Sequence, residues 1–201
     1  MVKRSIFLGI LISVFVFVGC KRTKKEAPKE QEVVDTLSLR EIEAESTEVQ
    51  VVEAKDHGVP CNPESSVVFS FKTLDGNDID ICDYRGKVVI LDFWATWCGP
   101  CRMEIPGFID LQNKYSDKVQ IIGLAVSDKP ERVRQFAQTF GMNYPVGMAP
   151  PEVLRMPYFA GIRYIPTTFI IDKEGKVRYR QVGYASKDFF IDWIERLYAE
   201  K

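Results

Sequence analysis

Apolar and polar positions alternate on three different scales along this chain. Behind Lys3 and Arg4, residues 5–18 (SIFLGILISVFVFV) form an almost unbroken apolar run. It is short of the roughly 20 residues a membrane-spanning helix needs, and it matches the h-region of an export signal. From Lys21 the pattern vanishes: KRTKKEAPKEQEVVD is rich in Lys and Glu without apolar periodicity, the mark of a solvated tether. The stretch TLSLREIEAESTEVQVVEAKDHG is ambiguous and could hold a short helix or a strand at VQVVEA.

From Val67 the pattern sharpens. VVFSFKTL predicts a strand, DGN a turn, DIDI a returning strand and DYRGK a second turn, so a β-hairpin precedes the main body. VVILDFWA and VQIIGLAV are continuous apolar, β-branched runs expected of central strands buried on both faces. A helix is expected from the Cys98 region through RMEIPGFIDLQNKY, kinked at Pro106. DKPERVRQFAQTFG reads as a helix with Pro in its first turn and Gly at its end. NYPVGM suggests a short strand and PPEVLRMPYFAG a short helix or turn. PTTFIID, KEG and KVRYRQVG make a hairpin. The closing helix, SKDFFIDWIERLYAEK, places Phe189, Phe190, Trp193, Ile194 and Leu197 on one face. The expected architecture is α/β: a central mixed sheet flanked by helices, with an added N-terminal hairpin.

With 201 residues and 46% hydrophobic content, the chain can build one core. A formal net charge of −1 gives no basic excess, which excludes nucleic acid as a partner. Of the five cysteines, Cys20 closes the apolar run in FVGC; Cys61, Cys82, Cys98 and Cys101 remain, an even number suited to an oxidising compartment.

Cys98-Gly99-Pro100-Cys101 carries the chemistry. A sulfur at a helix N-terminus meets unpaired N–H groups and the positive end of the helix dipole, both of which stabilise a thiolate. Cys101 lies one turn along, placed to resolve a mixed disulfide on Cys98. Gly99 permits close approach, and Pro100 suits a first turn because its missing N–H needs no partner. Asp92 sits six residues before Cys98 on an otherwise apolar strand. Burial there raises its pKa and makes it a candidate acceptor for the Cys101 proton, the alternative being a polar residue at a strand end. Glu104 shares a helical face with Cys101 and is either a second acceptor or a solvated helix residue.

Residues 88–101, VVILDFWATWCGPC, resemble the active-site strand and helix of thioredoxins, and GIRYIPTTFIIDKEGKVRYRQVG resembles their cis-proline segment. Together with the N-terminal hairpin and the PERVRQFAQTFGMNYPV insertion, the layout is similar to the TlpA/ResA-type family of membrane-anchored thiol–disulfide oxidoreductases. The resemblance implies a thioredoxin-like fold with Cys98–Cys101 as the redox-active disulfide. It makes Pro166 the cis-proline, with Ile165 offering its backbone to substrate and Trp97 flanking the groove while Trp94 packs. Asp92 matches the buried acid of thioredoxins, and Glu104 the active-site glutamate of ResA-like proteins. FVGC resembles a bacterial lipobox, with Cys20 lipidated; an uncleaved anchor is the alternative, and both put the domain outside the cytoplasm on a membrane.

The expected organisation is therefore a signal peptide (1–19), a lipidated tether (20–60) and a thioredoxin-like domain (61–201). No cofactor or metal is expected. A zinc site wants two close cysteine pairs and only one exists. Sco-type copper chaperones use Cys-x-x-x-Cys and a downstream His, whereas His57 lies in the tether. The peroxiredoxin pattern Pro-x-x-x-Thr-x-x-Cys fits none of the cysteines. Cys61 and Cys82 either form a second, structural disulfide or are unrelated thiols; a bridge requires Cα atoms within about 7 Å. The Gly-Pro dipeptide is that of thioredoxin, a reductant near −270 mV, roughly 150 mV below DsbA. The resemblance then implies a membrane electron donor of the CcdA/DsbD type and, as substrates, disulfides of exported proteins, apocytochrome c first among them. The competing reading is a non-catalytic, lipid-anchored binding module.

Overall fold

The computed structural model describes residues 61–200; Cys20, His57 and the rest of the leader and tether lie outside the described residues. Strands β1 (Ser70–Lys72) and β2 (Asp78–Asp80) pair antiparallel as a separate hairpin. The main sheet has the order β5-β4-β3-β6-β7, formed by β3 (Val88–Trp94), β4 (Val119–Ala125), β5 (Val146–Met148), β6 (Thr167–Ile171) and β7 (Val177–Val182). β3, β4 and β5 run parallel, whereas β6 and β7 are antiparallel to their neighbours, so the sheet is mixed as expected.

Every residue of β3 and β4 is buried, which explains why both read as unbroken apolar runs. Their side chains still alternate between faces. Val88, Ile90 and Trp94 join Ile105, Phe108 and Leu111 of helix α1 (Gly99–Lys114) and Phe190, Ile194 and Leu197 of α4 (Lys187–Ala199) in one cluster. Helix α2 (Pro130–Phe140) adds Val133 to that side. On the other face Val89, Leu91 and Phe93 meet Phe71 of the hairpin, Phe159, and Val153 of the short α3 (Pro151–Arg155). By this alternation Asp92 shares the α1 side of the sheet with Ile90 and Trp94.

The helix ends follow their signals. Gly141 closes α2 in the left-handed conformation (φ 64°), its N–H donating to Ala137 and Gln138 carbonyls. Ser186 caps α4 by accepting from the Phe189 N–H at 3.3 Å. In α4, Phe190, Ile194 and Leu197 are buried, while Phe189 and Trp193 are half-buried against Tyr179 on β7. Helix α1 runs on through Pro106, which deprives the Arg102 carbonyl of its donor one turn later.

The eight-residue strand expected at VVFSFKTL is only three residues long. Its backbone partners are split three ways. Val67 N–H donates to Gly175, the Phe69 carbonyl accepts from Ile81, and Leu74 N–H donates to Val146 on β5. The run's backbone partners come from both hairpins and the main sheet, so no single ladder spans it.

Candidate active site

β3 ends at Trp94, and the three following residues lead into α1. That link is tied down from the β4–α2 connection. The Asp128 Oδ2 accepts from both the Thr96 N–H (2.8 Å) and its hydroxyl (2.6 Å), and Trp97 Nε1–H donates to the Ser127 carbonyl (3.1 Å). Trp97 is thereby fixed at one edge yet 58% exposed, whereas Trp94 is fully buried.

Cys98 is the N-cap of α1, and its Sγ accepts from the Cys101 N–H at 3.2 Å. The sulfur thus sits on the electropositive end of the helix, where a thiolate is stabilised. Cys98 and Cys101 are bonded to each other, with Cα atoms 5.3 Å apart. Cys98 retains slight exposure and Cys101 has none, so an incoming sulfur meets Cys98 first. Gly99 and Pro100 occupy the first turn.

The opposite wall comes from the chain before β6. The Ile165–Pro166 peptide is cis, and Ile165 packs against the cluster that contains both active-site sulfurs. The Pro166 carbonyl accepts from Gly183 N–H (2.8 Å), and the Thr167 hydroxyl donates to the Tyr164 carbonyl (2.7 Å). Trp97, Val126, Ser127, Leu154, Ile162 and Ile165 are among the residues lining a pocket of about 220 Å³, which Trp97 joins to the cysteine-bearing turn.

Two carboxyls, of Asp92 on β3 and Glu104 on α1, are both 3% exposed. Asp92 Oδ1 accepts from the Thr168 hydroxyl at 3.2 Å. Burial pushes the Asp92 pKa well above the usual carboxylate range, the Glu104 charge adds to the rise, and the Thr168 hydrogen bond opposes it. Glu104 Oε1 accepts from the Ala185 N–H at 2.6 Å, while its Oε2 is buried with no protein partner. Burial raises Glu104 to about 7 against that hydrogen bond. The sequence left open a solvated Glu104; the structure buries it. Tyr144, which no sequence signal marked, is buried nearby. Its phenol is raised well above the ordinary range by burial, then by Asp92 and Glu104.

Cys61 and Cys82 are also bonded, with Cα atoms 5.8 Å apart. They stand away from the Cys98 site, at the hairpin. The fold therefore brings Trp97, Cys98, Cys101, Asp92, Glu104, Ile165 and Pro166 together, and leaves the second pair apart. Among the described residues no cluster of His, Cys, Asp and Glu suits a metal ion.

Residues 64–180 match the model of the AhpC/TSA family. The chain belongs to the AhpC/TSA family. The chain is 37% identical over 122 residues to the thioredoxin-like protein YneN of Bacillus subtilis, covering 59% of this chain and 70% of YneN. It is 34% identical over 130 residues to the thiol-disulfide oxidoreductase ResA of Bacillus thuringiensis, covering 64% of this chain and 74% of ResA. A crystal structure of a thioredoxin-family thiol:disulfide interchange protein from Chlorobium tepidum superposes with a TM-score of 0.64 at 35% identity. That match covers 70% of this chain and all of the other. This member of the AhpC/TSA family is accordingly a thiol–disulfide oxidoreductase with a thioredoxin-like fold, and its resemblance to ResA-type proteins holds.

Proposed function

We propose that the protein is an extracytoplasmic disulfide reductase acting on exported proteins. In its reduced form the Cys98 thiolate attacks a substrate disulfide, forming a mixed disulfide and releasing one substrate thiolate. Cys101 then gives its proton to the Asp92/Glu104 pair and attacks the Cys98 sulfur. The second substrate thiol leaves, and the Cys98–Cys101 disulfide forms. Two electrons have moved from the protein to the substrate. The observation that carries this reading is the Cys101 N–H donating to the Cys98 Sγ, with Cys101 fully buried and two buried acids of raised pKa, one of them three residues along the same helix. Trp97, Ile165 and Pro166 border the groove for the substrate backbone.

The remaining steps of the proposal follow from the N-terminal sequence and from likeness to ResA. Residues 1–19 export the chain, Cys20 carries the lipid, and residues 20–60 hold the domain off the membrane. A membrane donor of the CcdA/DsbD type re-reduces Cys98–Cys101. Apocytochrome c, with its haem-attachment cysteine pair, leads the substrate candidates.

The test is a trap. Cys101→Ser should accumulate substrate as a mixed disulfide on Cys98, and Cys98→Ser should accumulate none. Adducts on Cys101, or none in either variant, would refute the roles and leave a binding module. The equilibrium potential of Cys98–Cys101 against dithiothreitol decides direction: a value well above about −200 mV means oxidase or isomerase rather than reductase.

A further inference from the structure

The Cys61–Cys82 bond stands between charges of opposite sign. Arg85 is 4% exposed, and its Nη2 donates to the Cys61 Sγ (3.3 Å), the Ser66 hydroxyl (3.0 Å) and the Val67 carbonyl (2.9 Å). None of these acceptors is a carboxylate, and Arg85 forms no ion pair within 4 Å among the described residues; its Nε has no partner. A buried cation without an anion in contact is costly, and a negative charge forming beside it relieves that cost. Gly175 makes the seat possible, because a Cβ there would run into the guanidinium. On the other sulfur's side, the Asp80 carboxylate accepts from the Cys82 N–H at 2.8 Å, and Asp83 follows Cys82 directly. Asp80 and Asp172 both act on the Arg85 charge without forming an ion pair with it, and Asp172 is itself paired with Arg178.

We infer that Cys61–Cys82 is a second exchange site, opened by attack on Cys82 with Cys61 leaving as a thiolate on Arg85. The incoming thiolate of an external dithiol bonds to the Cys82 sulfur as the Cys61–Cys82 bond breaks. The dithiol's second thiol loses a proton and attacks that mixed disulfide, releasing Cys82 as a thiol. The dithiol ends oxidised and the pair reduced by two electrons. The order is set by leaving-group stability: Cys61 leaves toward a cation, whereas Cys82 would leave toward Asp80. Both cysteines are only partly buried, hence more open than Cys98. The reductant must be a separate molecule. β3 runs from beside Arg85 to the active site, a span of roughly 20 Å at about 3.3 Å per residue, beyond the reach of Cys98 in the same chain.

The test uses the full-length protein oxidised at both pairs, treated briefly with glutathione, acid-quenched and mapped by peptide mass. Adducts on Cys82 should exceed those on Cys61 by about tenfold, the effect of one charge-assisted hydrogen bond. Arg85→Met should erase the preference and Arg85→Lys should retain part of it. A majority of adducts on Cys61, an unchanged ratio in folded Arg85→Met, or no reaction at either sulfur while Cys98–Cys101 opens would each overturn the inference. Should Arg85→Met not fold, alkylation of the fully reduced wild type from pH 5 to 9 decides. Cys61 must reach half its maximal rate at a lower pH than Cys82, and the reverse order refutes the assignment.

Discussion

Replacing Glu104 by Gln removes a charge while keeping a hydrogen bond, since the amide oxygen can still accept from the Ala185 N–H. In the folded chain Glu104 titrates at about 7, against an ordinary 4.5. At 1.36 kcal/mol per pH unit, that gap of about 2.5 amounts to roughly 3 kcal/mol. The sign follows from proton binding. Between 4.5 and 7 the folded chain holds a proton on Glu104 that the unfolded chain has lost, so stability falls as pH rises through that window. Below 4.5 and above 7 the contribution is flat. Asp92 behaves in the same direction, and part of its rise comes from the Glu104 charge, so the slope that Asp92 contributes is shallower in the variant. Denaturant unfolding of oxidised wild type and Glu104→Gln at pH 4.5 and pH 8 measures the effect. Relative to wild type, the variant should gain up to about 3 kcal/mol between the two conditions. Parallel pH–stability curves would show that Glu104 is not held in a charge-averse site, and the argument for it as proton acceptor would fall with them.

Thr168→Val removes the hydroxyl that holds Asp92 down. The pH dependence of substrate release in single-turnover exchange should move to higher pH, and an unchanged profile would remove Asp92 from the proton path. Gly123 faces the site's floor, where an added Cβ would lie 3.0 Å from Trp94 Nε1 and 3.4 Å from the Tyr144 ring. Gly123→Ala should therefore destabilise by about 1–3 kcal/mol in thermal or denaturant melts, and wild-type stability would show that the floor yields freely.

Much of this molecule was legible because its chemistry is local. β3 and β4 could be read as central strands because burial on both faces leaves no polar alternation. Asp92 stood out as the lone carboxylate in such a run. Cys98 as a helix cap followed from Gly99-Pro100 after it. What escaped depends on residues far along the chain. Glu104 is buried by Ala185, 81 residues later, and nothing in α1 itself distinguishes it from a solvated glutamate. The Asp128 clamp on Thr96 spans 32 residues, and Tyr144, which feels the charge of both acids, lies just before β5. Arg85 looked like an ordinary turn residue in DYRGK. Only Gly175, from the distant β6–β7 turn, reveals the space made for it. β1 was expected and is present, but its length was overestimated for the same reason, its backbone groups being shared among partners from three regions.

The antiparallel entry of β6 beside β3 has a consequence for the order of assembly. Asp92 and Thr168, which meet across that ladder, are 76 residues apart in sequence. Closing such a loop costs roughly 4 kcal/mol of chain entropy, and the cost is met only when β6 docks. As the chain emerges N-terminus first, β3 and the cysteine-bearing turn of α1 are available long before the segment around Pro166 exists to wall them in. During that interval the two thiols face solvent without a groove to choose their partners. Whatever reacts with them then is selected by collision alone; discrimination between disulfides begins only when the last third of the chain has arrived.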